Sequence, residues 1–283
     1  MAFSCSNLPI QKLFSSKFVL LIFTTFYLSL AATKANSQKT VSFNVTDGKN
    51  RWPKSDFIFQ GDALIFPDGV LSLTDVAYTS IGRVLYSTPV PIWDRTTGNV
   101  ANFVTSFTFE IYTWPGIQPG DGLIFFLTDP ANKKIPANSG QGLLGVADAK
   151  NSLNNFIGVE FDNYVDTWDP KFTHIGIDLN SIYSTKCTEW KLVPAYLVKV
   201  EIAYDSPTST MTVVVTDEFG NTSKLSQIFD LKCVLSDTVL VGISGSSRIA
   251  QAHDIHSWSF SSTLDTTARS SSDRTNNNKE SYA

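Results

Sequence analysis

VEFDNYVDTWDPKFTHIGID, residues 159–178, places Glu160, Asp162, Asp166, Asp169 and His174 within 15 residues. Carboxylates that close repel one another unless a cation sits among them. Carboxylates and carbonyls suit a hard cation, and an imidazole beside them suits a transition metal. The segment therefore reads as a metal site for two different ions. On a strand, residues two apart share a face. Glu160, Asp162 and Tyr164 then point one way, and Val159, Phe161 and Asn163 the other. Residues 165–172 contain Asp169-Pro170 and read as a loop, and His174 opens a second strand. The bland alternative is an acidic strand edge that keeps a sheet soluble. It accounts for Glu160 or Asp162 singly, but not for five ligand-type residues together.

Outward from that stretch, strand signals dominate. Residues 103–112 (FVTSFTFEIY) alternate apolar and polar, as a half-buried antiparallel strand does. Residues 122–127 (GLIFFL) are continuously apolar, as in a strand buried on both faces. Strands are also predicted at 156–161, 175–179, 197–204, 211–216, 239–244 and 257–260, separated by Asn, Gly, Pro and Asp clusters. No 12-residue window beyond residue 37 carries a helical stripe. Aromatic residues make up 12% of the chain, which suits packed pleated surfaces. The expectation is all-β: an antiparallel two-sheet sandwich with function on the loops at one end.

The flanks differ from this core. Lys12 and Lys17 precede an apolar run at 18–32, followed by Ala35-Asn36-Ser37. That is the pattern of a secretory signal, residues 1–37. The run holds 15 residues, short of the ~20 that a membrane span needs. Three of the 22 basic residues fall in residues 1–37 and none of the 26 acidic ones, which leaves 19 against 26, a net charge of −7. Such a chain does not invite nucleic acid or anionic membrane. The predicted organisation is a signal at 1–37, one sandwich domain at 38–265 and a polar, disordered tail at 266–283. No second apolar run follows, which predicts a soluble, extracellular or vacuolar protein. Cys187 and Cys233 then face an oxidising compartment, where they either pair or stay as separate thiols. The sequons at Asn44 and Asn221 fit that route, although such tripeptides also arise by chance.

Residues 158–182 (GVEFDNYVDTWDPKFTHIGIDLNSI) closely resemble the metal-binding segment of legume lectins. Thr40-Val41-Ser42-Phe43 resembles that family's mature amino terminus. Residues 120–127 (GDGLIFFL) resemble its sugar-binding aspartate loop, and 139–145 (SGQGLLG) its glycine loop. Residues 241–244 and 253–260 resemble its closing strands. The resemblance implies a jelly-roll sandwich that binds carbohydrate without altering it. It implies manganese held by Glu160, Asp162, Asp169 and His174, with Ser184 approaching through a water. It implies calcium held by Asp162, the Tyr164 carbonyl, Asp166 and Asp169. It further implies a cis peptide bond before Asp121, glycans or glycoproteins as partners, and homodimers or homotetramers joined at sheet edges.

Neutral sugars need fixed acceptors, fixed donors and an apolar face. The resemblance assigns Asp121 as acceptor, the Gly142 backbone as donor and the Tyr164 ring as stacking surface. Taken alone, these are an ordinary Gly-Asp-Gly turn, a loop glycine and a core aromatic. At position 166 the family usually has asparagine, whose amide both binds calcium and donates to the sugar. Asp166 can bind calcium, but an ionised carboxylate has no proton to give. The expectation is retained metal with weakened or lost monosaccharide binding. The loop 245–252 is short, which in the family leans toward mannose or glucose. Ile249 is its candidate contact, and Arg248 is either a solvated charge or an answer to Asp166. Two other functions compete. One is a lectin-like storage or defence protein that has lost sugar binding. The other is a β-glucan hydrolase, which needs Glu-x-Asp-x-Glu on one strand. Tyr164 stands where the second glutamate would be.

Overall fold

The structure is a computed structural model that describes residues 37–46, 52–76, 79–117, 120–148 and 155–267. The expected leader lies outside the described residues except for Ser37. Of the expected tail, only Thr266 and Thr267 are described. Thr267 is held, since Asn99 Nδ2 donates to the carbonyls of Asp265 and Thr267, both at 2.9 Å.

Among the described residues there are sixteen strands: β1 (Gln38–Thr46), β2 (Phe57–Gly61), β3 (Leu64–Ile65), β4 (Leu71–Ser72), β5 (Ser80–Tyr86), β6 (Val90–Pro91), β7 (Asn102–Thr113), β8 (Asp121–Thr128), β9 (Phe156–Asp162), β10 (His174–Leu179), β11 (Lys186–Glu189), β12 (Val198–Asp205), β13 (Thr210–Thr216), β14 (Thr222–Ile228), β15 (Thr238–Ser247) and β16 (Gln251–Asp265). They form two eight-stranded antiparallel sheets. The back sheet runs β14-β13-β12-β7-β16-β4-β3, with β1 also on β16. The front sheet runs β11-β10-β9-β8-β15-β5-β2, with β6 also on β15.

The expected two-sheet antiparallel sandwich is what forms, and the burial of each strand follows its sequence. β12 (VKVEIAYD) alternates buried and exposed along its whole length, as a strand with one wet face must. β8 is buried at every position, because each of its faces has a cover. Leu123, Phe125 and Leu127 join the core between the sheets. Ile124 and Phe126 join a second apolar cluster with Leu144, Val146, Ala147 and Phe156. That cluster lies beneath the chain segment following β8, so this segment rests on a core of its own.

The predicted strands are all present, most of them longer than expected. The last extends over Gln251–Asp265 rather than 257–260, because its serines and threonines alternate with Trp258, Phe260 and Leu264. The spans predicted as strands do not include β1 to β6, β11 or β14. β14 (TSKLSQI) is a polar end strand, and β5 (SIGRVLY) buries Arg83 in mid-strand. Cys187 on β11 and Cys233 in the 3-10 turn Leu231–Cys233 are both free thiols, which corrects the pairing left open above. They sit in separate elements, one on an end strand and one in a turn beyond β14.

Phe161 ties the candidate metal strand to the core. Its ring meets Phe109 at 5.1 Å, Trp190 at 5.8 Å and Phe107 at 6.0 Å between centroids. Phe161→Ala is expected to cost about 3–5 kcal/mol in urea denaturation, since it leaves a cavity under β9. Val104→Ala on the outward face of β7, where Val104 is 55% exposed, is expected to change stability by under about 0.5 kcal/mol.

Candidate functional site

β9 lies between β8 and β10 in the front sheet, and its register assembles the site. His174 stands opposite Asp162, Gly176 opposite Glu160, and Gly122 opposite Asp162. As expected from the alternation, Val159 and Phe161 enter the core, and Glu160 and Asp162 occupy the other face. One ligand atom from each of Glu160, Asp162 and His174 lies within 4.8 Å of the others, and all three residues are buried. His174 Nε2 lies 2.9 Å from Glu160 Oε1. Ser184 Oγ lies 2.5 Å from Glu160 Oε1 and 2.9 Å from Asp178 Oδ1, within hydrogen-bond reach of both. Only glycine fits at position 176. A Cβ there would lie 1.8 Å from Ser184 Oγ and 2.5 Å from Glu160 Oε1.

Asp178 is a site residue that sequence reasoning passed over. It is fully buried on the same strand face as His174, and one of its oxygens has no hydrogen-bond partner. The even spacing from His174 to Asp178 was the signal for it. Asp169 stays outside the tight triad. It borders Asp162, with which it shares a hydrogen bond, and its carboxylate accepts the Asp166 N–H at 2.6 Å. Tyr164 N–H donates to Asp162 Oδ1 at 2.7 Å, which fixes the first turn of the loop.

The electrostatics are those of buried acids crowded together. Burial first, then Glu160 and Asp169, pushes Asp162 up to about 10. Burial and Glu160 push Asp178 well above the carboxylate range. Burial raises Asp169 as well. A cation among these oxygens would oppose each shift by favouring the ionised carboxylates. One imidazole with several carboxylates suits a transition ion, and the neighbouring all-oxygen set suits a hard one. The donor set therefore fits metal.

A shallow cradle adjoins this cluster. The Gly120–Asp121 peptide bond is cis, as the resemblance implied. Asp121 is 1% exposed, and neither of its carboxylate oxygens has a hydrogen-bond partner. Burial pushes it up to about 7 against the pull of Arg248, with Asp166 and Asp169 adding to the push. Gly142 lies in the 3-10 turn Gln141–Leu143, against Asp166 and Trp168. A Cβ at 142 would fall 2.1 Å from Asp166 Oδ2, so the glycine admits that carboxylate. Gln141 N–H donates to Ser246 Oγ at 2.6 Å and anchors the turn to β15. Beside it opens a cavity of about 380 Å³ lined by Asn138, Gln141, Trp168 and Ser246. Arg83 supports the turn from below, donating to the carbonyls of Gly145 (3.3 Å) and Asn132 (2.7 Å).

Of the two readings of Arg248, the structure selects the answer to Asp166. Its Nη2 lies 3.0 and 3.3 Å from the two Asp166 oxygens. The loop side chain that reaches the cradle is thus Arg248, where Ile249 was expected. Two carboxylates draw in the long cationic chain, while the neighbouring isoleucine is half-buried.

The sequence matches the legume lectin domain family model over residues 40–277. A nodule lectin of Pisum sativum is 46% identical over 275 residues, covering 95% of this chain and 98% of its own. A galactose-binding lectin of Arachis hypogaea is 45% identical, covering 92% and 96%. Among solved structures, peanut lectin with a nine-residue peptide superposes with a TM-score of 0.75 at 44% identity, over 81% of this chain and all of that one.

Asp121 and Asp162 have folded-state values above the ordinary ~3.9 of a carboxylate, so a linkage test follows. The stability they contribute is complete below about pH 4. It is lost as pH climbs toward about 7 for Asp121 and about 10 for Asp162. Chelator-treated protein is therefore expected to melt at a lower temperature at pH 8 than at pH 5. Added calcium and manganese should raise the melting temperature more at pH 8, because ion uptake must displace protons at pH 5. With free ion at a hundred times its Kd, the rise should be roughly 5–10 °C. Differential scanning fluorimetry checks both; a pH-independent melt that ignores the ions would contradict this account.

Proposed function

The chain belongs to the legume lectin family, and from that membership we propose that it is a non-catalytic, metal-dependent carbohydrate-binding protein. The observation that carries this is the buried cluster of Glu160, Asp162 and His174, set against Asp178 and Ser184 and bordered by Asp169. Glu160, Asp162, Asp169 and His174 would hold manganese, with Ser184 reaching it through a water. Asp162, the Tyr164 carbonyl, Asp166 and Asp169 would hold calcium. The ions supply fixed positive charge that keeps these carboxylates ionised and in place.

In this reading the protein's own groups recognise the sugar. Asp121 accepts from sugar hydroxyls; neither of its oxygens has a hydrogen-bond partner, and Oδ1 faces Arg248 Nη2 at 3.3 Å. The Gly142 backbone donates, and the Tyr164 ring offers a face. Asp166 has no proton to donate where the family usually has an amide. A missing donor facing a buried acceptor costs ~1–3 kcal/mol, about tenfold to a hundredfold in affinity. The ligand class is a neutral saccharide bound with weakened monosaccharide affinity. The relative from Arachis hypogaea is named for galactose, and the short 245–252 loop leans toward mannose or glucose, so both belong in any panel. The non-catalytic reading is supported by Tyr164 at the position a hydrolase needs for its second carboxylate, and by Glu160 and Asp162 sharing a buried, metal-type cluster with His174.

The same reading includes passage through the secretory route to an extracellular or vacuolar site, with residues 1–37 removed. Among the described residues no helix is long and apolar enough to cross a membrane. Asn44 on β1 and Asn221 beside β14 are both exposed, as glycan acceptors must be. End strands such as β14 leave backbone groups unpaired, and pairing of copies into a homodimer or homotetramer would cover such edges.

A glycan array probed with and without chelator tests the proposal. Binding that disappears with chelator and returns with calcium and manganese is expected, and Asp162→Asn should abolish it. Silence on the array from metal-loaded protein, both as wild type and as Asp166→Asn combined with Arg248→Ala, would overturn it.

A further inference from the structure

Arg248 follows the last residue of β15, and Ser247 stands opposite Asp121 in the register. That pairing delivers Arg248 to the mouth of the cradle. Its backbone N–H donates to the Gly120 carbonyl at 3.1 Å, so the residue is anchored there by its main chain. Its Nη2 lies 3.0 Å from Asp166 Oδ1 and 3.3 Å from Asp121 Oδ1. Its guanidinium carbon stands 4.3 Å from the centre of the Tyr164 ring. These are the acceptor, the calcium-loop carboxylate and the aromatic face that the proposed saccharide reading gives to the sugar. The guanidinium is planar and rich in donors, and it stacks on aromatic faces while it pairs with carboxylates. It therefore makes the same kinds of contact as a pyranose ring.

We propose that Arg248 is a tethered occupant of the cradle, which shuts it to neutral monosaccharides and so sets the specificity of the site. This rests on the saccharide reading above. A neutral sugar brings uncharged hydroxyls, and it must displace charge-assisted hydrogen bonds, which are about twice as strong. It must do so against a side chain that is always present at the high effective concentration of a tether. Asp166→Asn alone restores a donor but leaves Arg248 on Asp121 and over Tyr164. Arg248→Ala alone empties the cradle but leaves two carboxylates with no donor. Only the two changes together rebuild an open, donor-equipped site.

The test is a comparison of four full-length proteins: wild type, Asp166→Asn, Arg248→Ala and the double variant. Each is titrated calorimetrically with methyl α-mannoside and with galactose in calcium and manganese, after metal content and melting temperature confirm folding. The double variant is expected to bind one of the two sugars at least about tenfold more tightly than Asp166→Asn alone. Should Arg248→Ala fail to fold, Arg248→Gln in both backgrounds carries the same comparison. Equal affinities of the double variant and Asp166→Asn would overturn the occupant role. Chelator-sensitive binding of wild type on a glycan array would then leave the lectin reading standing, whereas silence from all four proteins would overturn both.

Discussion

Mutual repulsion among buried carboxylates is the constraint on which this molecule turns. The register of β8, β9 and β10 brings Glu160, Asp162 and Asp178 to one dry face of the front sheet, and Asp169 closes on them from the loop. Hydrogen-bonded strands cannot spread those groups apart without breaking ladders. The polypeptide on its own must keep protons on acids that would otherwise ionise, as the high value of Asp162 indicates. A site of this kind has an unmet electrostatic demand built into its backbone. The arrangement costs stability wherever the demand is unmet, and it makes sense as the socket of a cation.

The demand is tolerable because the framework around it is over-determined. Aromatic contacts of Phe161 fix β9 from beneath. The second apolar cluster gives the segment carrying Gly142 an anchor independent of the acidic corner. Arg83 adds a buried strut with no carboxylate partner among the described residues: its guanidinium sits over Phe126, and burial lowers it to about 10. The loops at this end of the sandwich are held by packing and carbonyl contacts, and the polar groups of the cradle are displayed on that support.

Most of this was legible in the chain because it is local. Alternation over 103–112 and the unbroken apolar run at 122–127 betray β7 and β8, since each residue's burial follows from its neighbours along one strand. The metal residues cluster in one stretch, so their convergence needed no knowledge of topology. What escaped depends on distant pieces. β5 hides its strand character behind Gly82 and Arg83, whose burial depends on contacts with Leu73 and with the carbonyls of Asn132 and Gly145. The state of Cys187 and Cys233 depends on where β11 and the 231–233 turn fall. Arg248 remained open because its reach is fixed by the pairing of β15 with β8. Ile249 was preferred to it for want of that register.

The contact between position 142 and Asp166 ties the loops of this corner to one another. Three loops distant in sequence, at 142, 166 and 248, meet within one small volume, where a single methyl group at 142 would collide with the acid. None of the three can change identity freely while the other two stay fixed. A change at any one of these positions alters the room or the charge that the other two meet, so the three loops behave as a single unit of specificity.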